Sequence, residues 1–216
     1  MPTKFRRIFR EYHDRPATFL DVGCGNHSPT ITKQYFPRCT YHGIDRAAYN
    51  VDASDESAAD RIFVLDLDTD SLDAVPDAQY DVVILNHVVE HLRHPERVVA
   101  ECCAKLRDGG SIYLEFPALR SLGLPSMAGT LQFCDDDTHA YLPDPYVIAN
   151  TMLRSGVRVR AGGTRRDLPR VLATPAYVVR NVVRRLTGKP AQSRGLWDAK
   201  GFAFFLYGRK ESHAAR

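Results

Sequence analysis

The sequence predicts an α/β fold, a mostly parallel sheet with helices on both faces, and three observations carry that prediction. Seven apolar, β-branched runs of strand length recur along the 216 residues. Stretches of helical character separate most of them. The runs are apolar throughout rather than alternating, as strands covered on both faces are.

In chain order the runs are Thr18–Val22, Tyr41–Ile44, Ile62–Leu65, Tyr80–Leu85, Ser111–Phe116, Val157–Val159 and Phe202–Tyr207. A helix is expected over 28–36, after a glycine pair that closes the first run. Over 95–108, Pro95 sits in the first turn, Val98, Cys102 and Leu106 recur four apart, and Asp108-Gly109-Gly110 marks the stop. Pro145 opens a further helix that ends near Ser155, before Gly156. Thr174-Pro175 opens another, which Gly188 ends. Val178, Val179, Val182, Val183 and Leu186 fall on one side of it, Arg180, Arg184 and Arg185 on another. The last run follows this insertion rather than a crossover helix, so the seventh strand is expected to be antiparallel. The chain reads as one domain, 1–216, with a substrate-side cover at 117–143 and a basic helical insertion at 168–194.

Composition narrows the function classes. With 44% apolar and 25% charged residues, collagen-like and disordered chains are excluded. No apolar run approaches the ~20 residues that cross a bilayer. The N-terminal MPTKFRRIFREYHDRP lacks the apolar stretch of a signal peptide. The five cysteines are odd in number and lack C-x-x-C spacing, so they read as reduced thiols of a cytoplasmic protein, with no metal expected. The net charge of +3 conceals an asymmetry: residues 154–194 carry eleven Arg and Lys against a single acid, Asp167. Such a block suggests an anionic partner, here peripheral contact with the inner membrane face through 175–187, or a second copy of the chain.

The strongest local signal is Phe19-Leu20-Asp21-Val22-Gly23-Cys24-Gly25-Asn26-His27, a strand running into a glycine pair. Glycines there let the backbone turn tightly and approach a ligand. The dinucleotide fingerprint G-x-G-x-x-G needs glycine at 28, where Ser28 stands, and Tyr-x-x-x-Lys occurs nowhere, so a nicotinamide reductase is disfavoured. Asp45 closes the second run, placed to accept hydrogen bonds from ribose hydroxyls. Asp66 closes the third, at the height of an exocyclic adenine amine. Asp21 beside the glycine turn would repel pyrophosphate but suits an ammonium or sulfonium group. Three acids at three successive strand ends point to S-adenosylmethionine.

On these residues the chain resembles class I S-adenosylmethionine-dependent methyltransferases over about 17–116, with strand logic continuing to 208. DVGCGN resembles the family's first motif, HGID the second, VLDLD the third, YDVVILNHVVEHL the fourth-strand segment and LRDGGSIYLEFP the fifth. The resemblance implies a Rossmann-like, doubly wound, seven-stranded sheet. It implies Asp21, Gly23, Cys24, Gly25, Asn86 and His87 along the methionine part of the cofactor, Asp45 and Arg46 at the ribose, and Asp66 and Leu67 at adenine. One departure stands out: the usual third glycine falls at His27, a bulkier turn.

The stretch Phe133-Cys134-Asp135-Asp136-Asp137-Thr138-His139-Ala140-Tyr141 resembles the D-D-x-T-H segment of bacterial methyltransferases among polysaccharide and glycosylation enzymes. A sugar hydroxyl is a poor nucleophile, and a histidine suits the general-base task. His139, oriented by Asp136 or Asp137, is the expected catalytic residue, with His91 and Tyr141 on the substrate side. The expected reaction is O-methylation of a sugar hydroxyl on a small molecule or carrier-linked glycan. A secondary-metabolite scaffold as acceptor, or a non-catalytic cofactor-binding module, are the alternatives. His87-Val88-Val89-Glu90-His91 fits the H-x-x-E-H zinc pattern, but it follows a buried strand and shows no third ligand. Asp144-Pro145-Tyr146 lies after the fifth strand rather than the fourth, so no nucleic-acid substrate is expected.

Overall fold

The computed structural model describes residues 1–47, 50–193 and 195–212; Arg194, the last cation of the basic block, lies outside them. After a 3₁₀ turn (Thr3–Phe5) and the short helix α1 (Phe9–Tyr12), β1 (Ala17–Val22) enters the sheet. There follow α2 (Ser28–Tyr35), β2 (Cys39–Asp45), α3 (Ala53–Ala58), β3 (Arg61–Val64), β4 (Tyr80–Asn86), α4 (Pro95–Lys105) and β5 (Leu106–Pro117). Then come α5 (Pro145–Arg154) and β6 (Val157–Thr164). The insertion supplies α6 (Leu168–Leu172), α7 (Thr174–Leu186) and α8 (Trp197–Lys200) before β7 (Ala203–Lys210).

The strands form one sheet in the order β3-β2-β1-β4-β5-β7-β6. β7 runs antiparallel to β5 and β6, and the remaining pairings are parallel. This is the doubly wound sheet with an antiparallel last strand that the sequence predicts. Its order reverses between β1 and β4, where a ligand crevice opens beyond the carboxyl ends. Val22 pairs with Leu85, so the glycine turn and Asn86 leave the sheet side by side.

Both faces are buried, which explains why the strands read as continuously apolar. Leu20, Val22, Val83, Leu85, Ile112 and Leu114 pack with Val98, Val99 and Cys102 of α4 and Ile148 and Met152 of α5. Phe19, Val82, Ile84 and Tyr113 face the other way, onto Phe5, Ile8, Tyr12 and Phe36. A smaller cluster, Leu131, Leu196, Phe202 and Ala203, ties the cover and the insertion to the sheet end.

Several boundaries differ from expectation, two of them with a clear cause. The helix expected over 95–108 stops at Lys105, because Leu106 already pairs with Tyr80 and β5 begins there. The register then shifts between Tyr80 and Val82, and the glycines taken for a helix stop serve a bulge instead. Gly109 has φ +74, and a Cβ on Gly110 would come within 2.8 Å of the Tyr80 carbonyl. β6 extends to Thr164 rather than Val159, since β7 pairs with it along that whole length.

Candidate active site

The glycine turn is fixed by its neighbours. The N–H groups of Gly23 and Cys24 both donate to the Ile44 carbonyl, at 2.8 and 3.2 Å. Gly23 has φ +72, and a Cβ there would come within 2.5 Å of Val88 Cγ2. Asn26 and His27 continue the left-handed backbone at φ 56 and 57. The His27 ring does not fill the crevice: it swings to α3, where Nδ1 lies 2.7 Å from Asp55 Oδ2. Its bulk therefore sits behind the turn.

A cavity of about 570 Å³ opens over the ends of β1, β4 and β5. Gly23, Gly25, Asn86 and His87 line it, as the sequence leads one to expect. Lys4, Glu115, Arg165, Arg170 and Trp197 line it too, and sequence reasoning missed all five. Asp21 lies beneath, buried, its Oδ2 accepting from Ser28 Oγ at 2.5 Å and Tyr41 OH at 3.0 Å. Lys4 Nζ donates to Ser28 Oγ at 2.8 Å, which holds an ammonium at the cavity wall. Burial, then the charges of Asp21 and Asp45, push the Cys24 thiol up to about 12, so it is a neutral packing group. Asp45 Oδ2 accepts the Gly25 N–H at 3.2 Å and so ties β2 to the turn. Asp66, whose Oδ1 accepts the Asp68 N–H at 2.9 Å, and Leu67 follow β3 along the same carboxyl edge. Arg46 is exposed there. Asp45, Arg46, Asp66 and Leu67 lie outside the cavity lining.

The far wall is a buried charge network. His87, at φ 58, donates from Nδ1 to Glu90 Oε1 at 2.9 Å and from Nε2 to Glu115 Oε1 at 3.2 Å. Burial works against its charge, yet the hydrogen bonds to Glu115 and Glu90 outweigh it and raise the pKa to about 9. Glu115 is pulled down to about 2 despite burial, by His87 first and then by Arg165 and Tyr113. At neutral pH His87 is thus an imidazolium with both N–H groups committed, and it offers no lone pair to a proton. Arg165 completes the network, donating to Glu115 at 3.0 Å and to both Asp198 oxygens at 3.1 and 2.6 Å. The Trp197 ring stands 5.2 Å from His87 and 4.3 Å from Phe202.

The residues expected on the acceptor side gather within and beside 117–143 instead. Val89–His91 is a 3₁₀ turn, so the helical face implied by H-x-x-E-H does not form. The Glu90 carbonyl accepts the N–H groups of Ala140 and Tyr141 at 2.9 and 3.0 Å, which fastens the cover to this turn. The His139 ring stacks on Phe133 at 4.6 Å and stands 4.9 Å from His91, and its Nε2 is 3.8 Å from Asp136 Oδ2. Asp137 is exposed and outside this group. The structure therefore brings His91, Asp136 and His139 together, whereas Tyr141 joins them only through its backbone N–H and turns its side chain to Glu96; none of the four lines the cavity.

Residues 1–161 match the family described as "Methyltransferase domain". The mitochondrial ubiquinone biosynthesis O-methyltransferase of Candida albicans is 29% identical over 110 residues, 47% of this chain. That stretch covers 33% of the relative, so the match spans about a third of its length. A SAM-dependent methyltransferase from Archaeoglobus fulgidus shares the fold with a TM-score of 0.57 at 17% identity, over 95% of this chain and 91% of the other. Phosphoethanolamine N-methyltransferase 2 of Haemonchus contortus, solved with S-adenosyl-L-methionine, gives 0.62 at 13% identity, over 95% and 52%. At such identities the solved structures speak for the fold, whereas the family match takes in the glycine turn, β4 and β5. The chain belongs to the family described as "Methyltransferase domain".

Proposed function

We propose that the protein methylates a hydroxyl of a small polar acceptor, a sugar or related metabolite, free or linked to a carrier as in glycan assembly. The observation that carries this reading is the cavity wall, where the Trp197 ring stands beside Arg165, Glu115 and the half-exposed Arg170. A flat ring suits the apolar face of a sugar, and the charged groups suit its hydroxyls. The Candida relative's name, an O-methyltransferase, supports oxygen as the nucleophile.

Gly23, Cys24, Gly25, Asn86 and His87 are assigned to the methionine part of the cofactor, over the turn that Asp21 anchors. Asp45 and Arg46 are assigned to the ribose, Asp66 and Leu67 to adenine. The residues fit the group: Gly23 and Gly25 line the cavity without a side chain, and the turn is fixed by its bonds to the Ile44 carbonyl. Bound there, S-adenosylmethionine supplies an activated methyl group for in-line displacement. The chain's own task is positioning, and the Arg165–Glu115–His87 network holds the end of β4 rigid for it. Since His87 has no spare lone pair, activation of the hydroxyl is assigned to the cover, around His139 with Asp136, His91 and Tyr141; Asp137 belongs to its rim. Residues 1–216 act as one unit in this reading, with 117–143 and 168–194 on the acceptor side.

No helix among the described residues is long and apolar enough to cross a membrane. Contact with an anionic membrane face is proposed through α7. Its Val179, Val182, Val183 and Leu186 are each more than half exposed, beside Arg184 and Arg185. Incubation with S-adenosylmethionine and a panel of sugars, nucleotide sugars and aminosugars, reading S-adenosylhomocysteine, tests the reaction. Turnover with acceptors that carry only hydroxyls is expected; turnover confined to amines, or none across the panel, overturns it.

A further inference from the structure

We propose that Glu90, His91 and His139 form a binding site for one divalent transition-metal ion of the zinc class. Each offers one ligand atom, and the three atoms lie within 4.8 Å of one another. Ligands ~2.1 Å from a tetrahedral ion stand ~3.4 Å apart, so small side-chain rotations close the set.

The hydrogen bonds decide which atoms are free. His139 Nδ1 lies 2.6 Å from the Phe133 carbonyl, which accepts only, so Nδ1 carries the proton and Nε2 the lone pair. Thr138 Oγ1 gives its single proton to Asp136 Oδ1 at 2.6 Å. It can therefore only accept from His91 Nδ1, 3.0 Å away, and His91 too keeps its lone pair on Nε2. Glu90 is fully buried; its Oε1 takes the His87 proton, and its Oε2 has no partner. The three residues thus offer two imidazole lone pairs and a buried, unpartnered carboxylate oxygen within 4.8 Å of one another as ligand atoms. A cation satisfies all three at once. Both histidines are held through their opposite nitrogens by the cover, which is how metal-ligating imidazoles are oriented. Two histidines and one carboxylate suit zinc and similar ions.

A second set, His27, Asp52 and Asp55, differs. Asp55 there already accepts from Thr30 Oγ1 and from the N–H of Asp52, at 2.6 and 3.1 Å, so its oxygens are spent within the fold. An ion on Glu90, His91 and His139 would clamp the cover to the end of β4. It would also occupy the His139 Nε2, so the same titration decides whether that nitrogen is a ligand or a general base.

The test is metal binding by the full chain, stripped with chelator and then titrated with Zn²⁺ by calorimetry and with Co²⁺ by visible absorption. One ion per chain is expected, with d–d bands and no thiolate charge-transfer band. His91→Ala and the near-isosteric Glu90→Gln are each expected to weaken binding by at least the roughly 10–100-fold that loss of an outer partner brings. Thermal melts followed by circular dichroism confirm that the variants fold. Absence of saturable binding, binding unchanged in both variants, or binding lost in His27→Ala instead overturns the proposal.

Discussion

Arg165→Met isolates the buried network that fixes the cavity wall. The guanidinium side chain is 10% exposed, and its partners Glu115 and Asp198 are 1% and 0% exposed. Methionine fills similar volume but leaves two buried carboxylates without their main counter-charge. Breaking a buried pair by removing one partner costs about 3–5 kcal/mol. Arg170, 3.8 Å from Asp198, and His87, 3.2 Å from Glu115, remain nearby, which favours the lower end. For a chain of this size ~3 kcal/mol corresponds to a fall in Tm of about 6–12 °C. The pH dependence has a definite sign. Glu115 has a folded pKa of about 2, below its usual 4.5, so its stabilisation is present above about 4.5 and is lost as pH falls toward 2. Removing Arg165 lets that pKa rise, so the deficit of the variant is expected to be full at pH 7 and smaller at pH 4. Urea unfolding at both pH values, with Asp198→Asn and the double variant completing a cycle, measures it. A loss below about 1 kcal/mol at pH 7, or a deficit that grows on acidification, would refute the argument.

Three further outcomes are expected. Gly23→Ala forces a side chain onto φ +72 and against Val88, so it is expected to cost about 1–3 kcal/mol and to abolish cofactor binding; retained affinity by calorimetry removes the turn from the site. Asp135→Asn removes a carboxylate that accepts from Ser126 Oγ and from the N–H groups of Met127, Leu131 and Gln132. Against burial these bonds hold its pKa at about 2. The variant is therefore expected to lose about 1–2 kcal/mol at pH 7, shrinking as pH falls from 3.8 toward 2, in urea melts at stepped pH. Val179→Asp with Val183→Asp is expected to end co-sedimentation of the protein with phosphatidylglycerol vesicles and to leave phosphatidylcholine vesicles unbound. Equal binding by the variant, or concentration-dependent dimerisation of the parent in its place, contradicts membrane docking.

The fold and the glycine turn were legible because their signals are local. Gly23 and Asp45 sit at strand ends, where backbone and carboxylate roles follow from the turn itself. The charge network was not legible. Arg165 joins Glu115 and Asp198 across 50 and 33 residues of sequence, and within a block of eleven cations nothing but burial marks it out. Glu115 did carry a signal, an acid inside Ile112-Tyr113-Leu114-Glu115-Phe116, an otherwise apolar strand. Asp108-Gly109-Gly110 reads equally well as a helix stop or a bulge, and pairing with β4 decides the matter. The His27 ring direction depends on Asp55, 28 residues on, which the turn itself does not reveal. The motif marks His139, but only the Phe133 carbonyl distinguishes its two ring nitrogens, as the Thr138–Asp136 bond does for His91.

The central claim, a methyltransferase site built on the Gly23–Gly25 turn and Asp45, is tested most directly by calorimetric titration with S-adenosylmethionine, set beside NAD. Saturable micromolar binding of S-adenosylmethionine alone is predicted. In Asp45→Ala the lost charged hydrogen bonds, worth roughly 1.5–3 kcal/mol, are predicted to weaken it roughly 10–150-fold. Binding of NAD instead, or an affinity for S-adenosylmethionine that Asp45→Ala leaves unchanged, would contradict the account.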